Sequence, residues 1–186
     1  MQMRAAVFAA CLTVAGIHPV ALNACGYDNP QSIELGSLNW VYPDALYVRT
    51  AVTQAEQGGL LPSSELGPQV GLFAFLRANA AMKSFGAKLA DPRVAASGRI
   101  VSVVLIPQVL WTRFKIGPEG VAMQGHAEGP EEGDLVIVTE EKVVRALLDG
   151  KLDAATAEEK GLVRFYGDAA DIANVRAVLT KATPTN

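Results

Sequence analysis

The sequence predicts an α+β fold, with helical stretches first, hairpin-linked strands next, and short helices around one further strand at the end. Two observations carry this. Apolar residues recur at helical spacing after Pro43 and again after Pro68, and at Arg99 the period changes to β-branched and alternating runs. Glycines at Gly150, Gly161 and Gly167 then punctuate the last third into short elements. The expected architecture is two N-terminal helices, an antiparallel sheet of about four to five strands, and three shorter C-terminal helices on one side.

Cys25 to Trp40 mixes Gly, Asn, Pro and Ser with scattered apolar residues and reads as an extended lead-in. Pro43 suits the first position of a helix and Asp44 its first turn, where a carboxylate meets the positive end of the helix dipole. Leu46, Val48, Val52 and Ala55 give that helix its apolar side, and Gly58-Gly59 stops it. Leu60 to Gly67 is a turn. Pro68 opens a second helix running to about Ala90, whose broad stripe is Val70, Phe73, Leu76, Ala80, Phe85 and Leu89, and Asp91-Pro92 ends it.

Ile100 to Ile106 has Ser102 as its one polar interruption, which suits a strand covered on both faces. Pro107 marks a bend or an edge. From Leu110 to Ile116 the chain alternates, with Arg113 and Lys115 on the side opposite Phe114. Gly117-Pro118-Glu119-Gly120 turns it back into a strand from Val121 to Gly125. After the polar loop from Glu128 to Asp134 comes a strand at Leu135 to Val138. Thr139 is placed to cap a helix with Glu140 and Glu141 in its first turn and Val143, Val144, Leu147 and Leu148 facing inward. A short helix at Asp153 to Lys160, a strand at Leu162 to Tyr166 and a last helix capped by Asp168 complete the order.

The first 24 residues read as a signal peptide. Arg4 precedes an apolar run from Ala5 to Ile17, too short to span a bilayer, and a small-residue boundary follows at Asn23-Ala24-Cys25. Leu22-Asn23-Ala24-Cys25 resembles a lipobox, whose Cys25 would be lipidated. Plain cleavage after Ala24 fits the same residues and leaves Cys25 as a free N-terminal thiol. Cys11 lies inside the signal, so no intramolecular disulfide is expected in the mature chain. The expected location is therefore the periplasm or the exterior, with a lipid anchor at Cys25 as the one link to a membrane. Residues 25–67 then form an N-terminal extension and residues 68–183 the main domain.

The balance of 16 Lys+Arg against 19 Asp+Glu excludes the basic patch that nucleic-acid recognition needs. Four carboxylates at Glu128, Glu131, Glu132 and Asp134 match no calcium-loop spacing and read as a solvated loop. His126 is the only histidine after the signal, so no zinc set is expected, and it reads as a strand-end residue touching solvent. No nucleophile elbow or phosphate loop occurs. The expectation is a non-enzyme without cofactor or metal. Trp40, Tyr42 and Tyr47 form an aromatic cluster that either staples the extension to the core or offers a surface to an envelope protein.

Leu147-Leu148-Asp149-Gly150-Lys151-Leu152-Asp153, Ala157, and Gly161 through Asp168 together resemble the closing segment of sterol carrier protein 2-like domains. The strand Leu135 to Val138 and the hairpin before it stand where that family has its sheet. The resemblance implies a domain that holds an apolar molecule, such as a lipid, acyl or isoprenoid chain, between sheet and helices. No catalytic residues carry over. Phe73, Phe85, Leu110, Phe114 and Leu147 are the residues placed to line such a pocket, and the same side chains can equally fill an ordinary core.

Overall fold

The computed structural model describes residues 34–63 and 66–180. Helices α1 (Glu34–Val41), α2 (Tyr47–Gln57), α3 (Gly71–Leu89) and α4 (Pro92–Ser97) come first. Strands β1 (Ile100–Leu105), β2 (Leu110–Gly117), β3 (Gly120–Ala127) and β4 (Leu135–Thr139) follow, then α5 (Glu141–Leu148), α6 (Ala154–Glu159), β5 (Arg164–Tyr166) and α7 (Ala169–Thr180). The strands form one sheet in the order β3-β2-β1-β4-β5, so the expected α+β arrangement is present with five strands. One pairing, β1 with β4, is parallel, because the 128–134 connection carries the chain from the β3 edge to the far side of β1.

The register sorts the strand residues onto two faces. Val101, Val103 and Leu105 stand beside Phe114, Thr112 and Leu110 on one side and Leu135, Ile137 and Thr139 on the other. This face meets α3, where the Phe85 and Phe114 rings lie 6.4 Å apart, and α7, whose Arg176 guanidinium sits over the Phe165 ring. A Cβ on Gly86 would stand 2.7 Å from the Phe114 ring, so only glycine lets α3 approach the sheet this closely.

The opposite face carries Trp111, Arg113, Ser102, Val104, Val136 and Val138, all buried. The N-terminal extension covers it. Tyr42 packs against both Trp111 and Tyr166, at 6.1 and 5.1 Å between ring centroids, and the Tyr166 hydroxyl donates to the Pro43 carbonyl at 2.6 Å. The run Ile100–Leu105 is thus buried on both sides, as its composition predicts.

Some boundaries differ from the sequence reading, each for a tertiary reason. Residues from Glu34 form α1 in place of an extended lead-in, and Pro43-Asp44 lies in the turn before α2, with Asp44 at φ 67°. The contacts of Tyr42 and Pro43 hold that turn against the sheet and delay the helix to Tyr47. Thr139 is the last residue of β4 and donates its hydroxyl to the Leu162 carbonyl, leaving Glu140 at the α5 N-cap. Asp91-Pro92 does end α3, but Asp91 also accepts from the Arg93 amide and starts α4. Asp168 caps α7 as expected, and Asp153, read as the first residue of its helix, is the N-cap of α6.

Arg113 departs furthest from its expected place. It is buried on the covered face, where Asp134 receives it at 2.9 and 3.2 Å, Glu131 pairs with it, and Ser102 donates to Asp134 at 2.6 Å. Burial acts to raise the Asp134 carboxyl, but hydrogen bonds from Arg113, Ser102 and the Glu131 amide hold it below its ordinary value. A depressed carboxylate contributes stability above its unfolded pKa that is lost as pH falls through the folded one. Asp134→Asn leaves Arg113 in the interior without its main counter-ion. It is expected to lower unfolding stability by about 3 kcal/mol at pH 7, with the difference narrowing below pH 4. Urea titrations across pH check this, and an unchanged midpoint would remove the claim.

Candidate functional site

An apolar concavity lies where the C-terminal end of α3, helix α4 and the tip of the β2–β3 hairpin diverge. One segment, of about 560 Å³, is walled by Ala90, Pro92, Ala95, Ala96, Ile116 and Pro118, with Gly117 and Gly120 adding no side chain. A second, of about 420 Å³, runs between α3 and the edge strand along Gly86, Ala87, Ala90, Val121 and Met123, with Lys83 at its end. Ala90 lines both, so the two segments of this groove adjoin there. Its width follows from composition, because alanine and glycine on the outer side of α3 leave space that larger residues would fill. Such dimensions and walls suit an apolar guest held by few polar groups.

The residues expected to line a pocket are placed otherwise. Phe85, Leu110, Phe114 and Leu147 are at most 2% exposed and pack together in the core, while Phe73 is 75% exposed on the outside of α3. Helix geometry explains the split. At 3.6 residues per turn, Phe73 and Phe85 point about 120° apart. The buried side of α3 runs through Ala74, Ala78, Ala81, Met82, Phe85 and Leu89, small at first and large later. The groove residues were legible only as the run of small residues at positions 86, 87 and 90, a signal easily taken for plain helix propensity.

Of the aromatic cluster, Trp40 is 91% and Tyr47 62% exposed, whereas Tyr42 is partly buried against the sheet. The members of the cluster are thus placed differently. Tyr42 staples, and Trp40 with Tyr47 faces outward. Cys25 and the 24 residues before it, read as a signal peptide in the sequence, lie outside the described residues. In the acidic loop, Glu131 and Asp134 turn toward Arg113. His126 is exposed in β3, at φ 56° beside a register shift, with its ring edge-on to Phe75 at 5.8 Å.

A second, polar concavity of about 240 Å³ opens beyond the carboxyl ends of the parallel strands β1 and β4. Charges from distant parts of the chain meet there. Arg49 of α2 reaches Glu140 at 3.1 Å, Glu56 of α2 pairs with Lys142, and Glu141 is shared by Arg77 at 3.0 Å and Arg145 at 2.9 Å. The arrangement works as a clasp fixing α2 and α3 to the start of α5. Sequence placed Glu140 in an ordinary first turn and gave no sign of its partner 91 residues away.

Burial is the main influence on the Glu140 carboxyl, and Arg49 offsets it only in part, so the group is pushed up to about 7. The folded protein therefore prefers Glu140 protonated. Stability from this group is full below the unfolded value near 4.5 and is lost as pH rises through about 7. The expected loss between pH 5 and pH 8 is at most about 3 kcal/mol, and Glu140→Gln is expected to flatten it. Melting curves of both proteins over that range measure the slope. Equal slopes would contradict the assignment.

No protein-family model matches the chain, and no curated protein does. Among solved structures, it is similar to the UbiJ-SCP2 ubiquinone synthesis protein, at 16% identity over 58% of this chain and 96% of that one, TM-score 0.41. A sterol carrier protein 2 structure is 15% identical over 61% of this chain and 100% of that one, TM-score 0.37. A stereoselective inverting sec-alkylsulfatase from Pseudomonas sp. is 15% identical over 54% of this chain, TM-score 0.43, and the chain spans 16% of its length.

Proposed function

We propose that the protein is an exported, non-enzymatic binder of an apolar molecule, a lipid, acyl or isoprenoid chain, held in the groove between α3, α4 and the β2–β3 hairpin. The observation that carries this reading is the pair of apolar concavities, about 560 and 420 Å³, that adjoin at Ala90 along one side of α3. The interior residues first expected to hold the guest are engaged in packing, so the guest lies against the domain rather than inside it. The segment resemblance to sterol carrier protein 2-like domains supports the same class of ligand. Export rests on the first 24 residues, with Cys25 as the anchor point.

A fluorescent fatty-acid analogue is the direct probe. The delipidated protein is expected to bind it at micromolar concentration, and Ala96→Trp, which fills the wider segment from an exposed position, to weaken binding at least tenfold at an unchanged melting temperature. Absence of uptake by the wild type, together with native mass spectra free of bound lipid, would end the carrier reading.

A second reading is favoured by one observation, the outward exposure of Trp40, Val41 and Tyr47 at 91%, 67% and 62%. In it, this corner holds an envelope protein. Trp40→Ala with Tyr47→Ala is expected to abolish recovery of that partner from envelope extracts while Tyr42→Ala instead lowers stability. Labelling the same cells with palmitate tests the anchor: label is expected on the wild type and lost in Cys25→Ser, and an unlabelled wild type refutes lipidation.

A further inference from the structure

Helix α3 is apolar on its outer side as well as its inner one. Phe73, Leu76, Ala80, Lys83, Ala87 and Ala90 are separated alternately by three and four residues, the repeat that keeps side chains on one seam of a helix, and all six are exposed. The two ends of this seam differ in relief. At the N-terminal end Phe73 and Leu76 project, 75% and 51% exposed, with Leu72 beside them at 66%. At the C-terminal end Ala87 and Ala90 are recessed in the floor of the groove. Knobs and hollow thus lie along one seam about 26 Å long, which winds gradually around the helix and ends at the α3 C-cap Ala90.

We infer that this face pairs with the same face of a second copy, antiparallel about a two-fold axis passing between residues 81 and 82. That axis is the midpoint of the seam. It sets Phe73 of each copy over Ala90 of the other, where the two groove segments join, and Leu76 over Ala87. The fit closes on itself because the same patch supplies both the projecting and the receiving part, as an isologous contact requires. Lys83 falls opposite Ala80 rather than opposite its own copy, so the central charges are staggered and can reach solvent. Two faces of this length and one helix width bury on the order of 1,000 Å² together, near the lower limit for a stable pair. Association is accordingly expected at micromolar concentration.

The inference goes beyond the carrier reading and competes with it for space. A groove holding the knobs of a second copy is closed to an acyl chain, so the ligand-free protein is the form that pairs.

Sedimentation velocity on the delipidated mature chain tests this. A concentration-dependent shift from monomer to dimer is expected for the wild type, and Leu76→Glu and Ala87→Lys are each expected to remain monomeric. Both positions are exposed, and circular dichroism checks that the variants fold. Mixing the two variants is the decisive arm. A heterodimer sets the introduced glutamate against the introduced lysine at one contact and retains the wild-type pair, Leu76 over Ala87, at the other. Mixing is therefore expected to restore the dimer. A wild type that stays monomeric up to hundreds of micromolar overturns the proposal, as does a mixture that stays monomeric. Neither result touches the carrier reading, which the fatty-acid probe measures separately on monomeric Leu76→Glu.

Discussion

A buried arginine organises this structure. Arg113 enters the covered face of the sheet from β2, and a guanidinium there requires compensation from groups that the strand itself cannot provide. Asp134 and Glu131 supply it from the loop before β4, Ser102 completes the Asp134 carboxylate from β1, and Tyr42 covers the site from the N-terminal extension. The loop that reads as solvated acid is therefore a counter-ion, and the crossing from β3 to β4 is tied to the sheet by it. Tyr42 registers the same environment, since burial first and the Asp134 charge second hold its phenol above the ordinary value.

The second organising fact is the double character of α3. A helix this apolar has two candidate inner faces, and the broad stripe read from the sequence joins Phe73 and Leu76 of one to Phe85 and Leu89 of the other. The sheet selects the side bearing Phe85 and Leu89. Gly86 permits contact with Phe114, and a row of alanines at 74, 78 and 81 permits close approach along the rest of the helix. Large residues are thereby left outside, and the space beside the small ones at the far end remains unfilled. The exposed ridge and the groove are two results of one choice of helix phase.

Legibility followed the range of the forces involved. The strands β1, β2 and β4, the hairpin turn at Gly117–Gly120 and the cap at Asp168 depend on periodicity or on partners a few residues away, and the sequence shows them. The start of α2 depends on Tyr166, 123 residues beyond Pro43, and the state of Glu140 depends on Arg49. Nothing local to either position announces these partners. The groove lies between these cases: its residues are visible in the sequence, but their vacancy is a property of three elements that diverge.

The extension on the second sheet face changes what counts as a unit of this chain. A boundary drawn before Pro68 looks natural, since a turn rich in glycine, proline and serine lies there. Cutting at that point would strip Tyr42 from Trp111 and take α2 off the clasp at Glu140 and Lys142. The severed body would present wet tryptophan, valine and an arginine–aspartate pair along its whole underside. The stretch that resembles a leader to the domain is thus the upholstery of that sheet face, and its removal would wet what it now keeps dry.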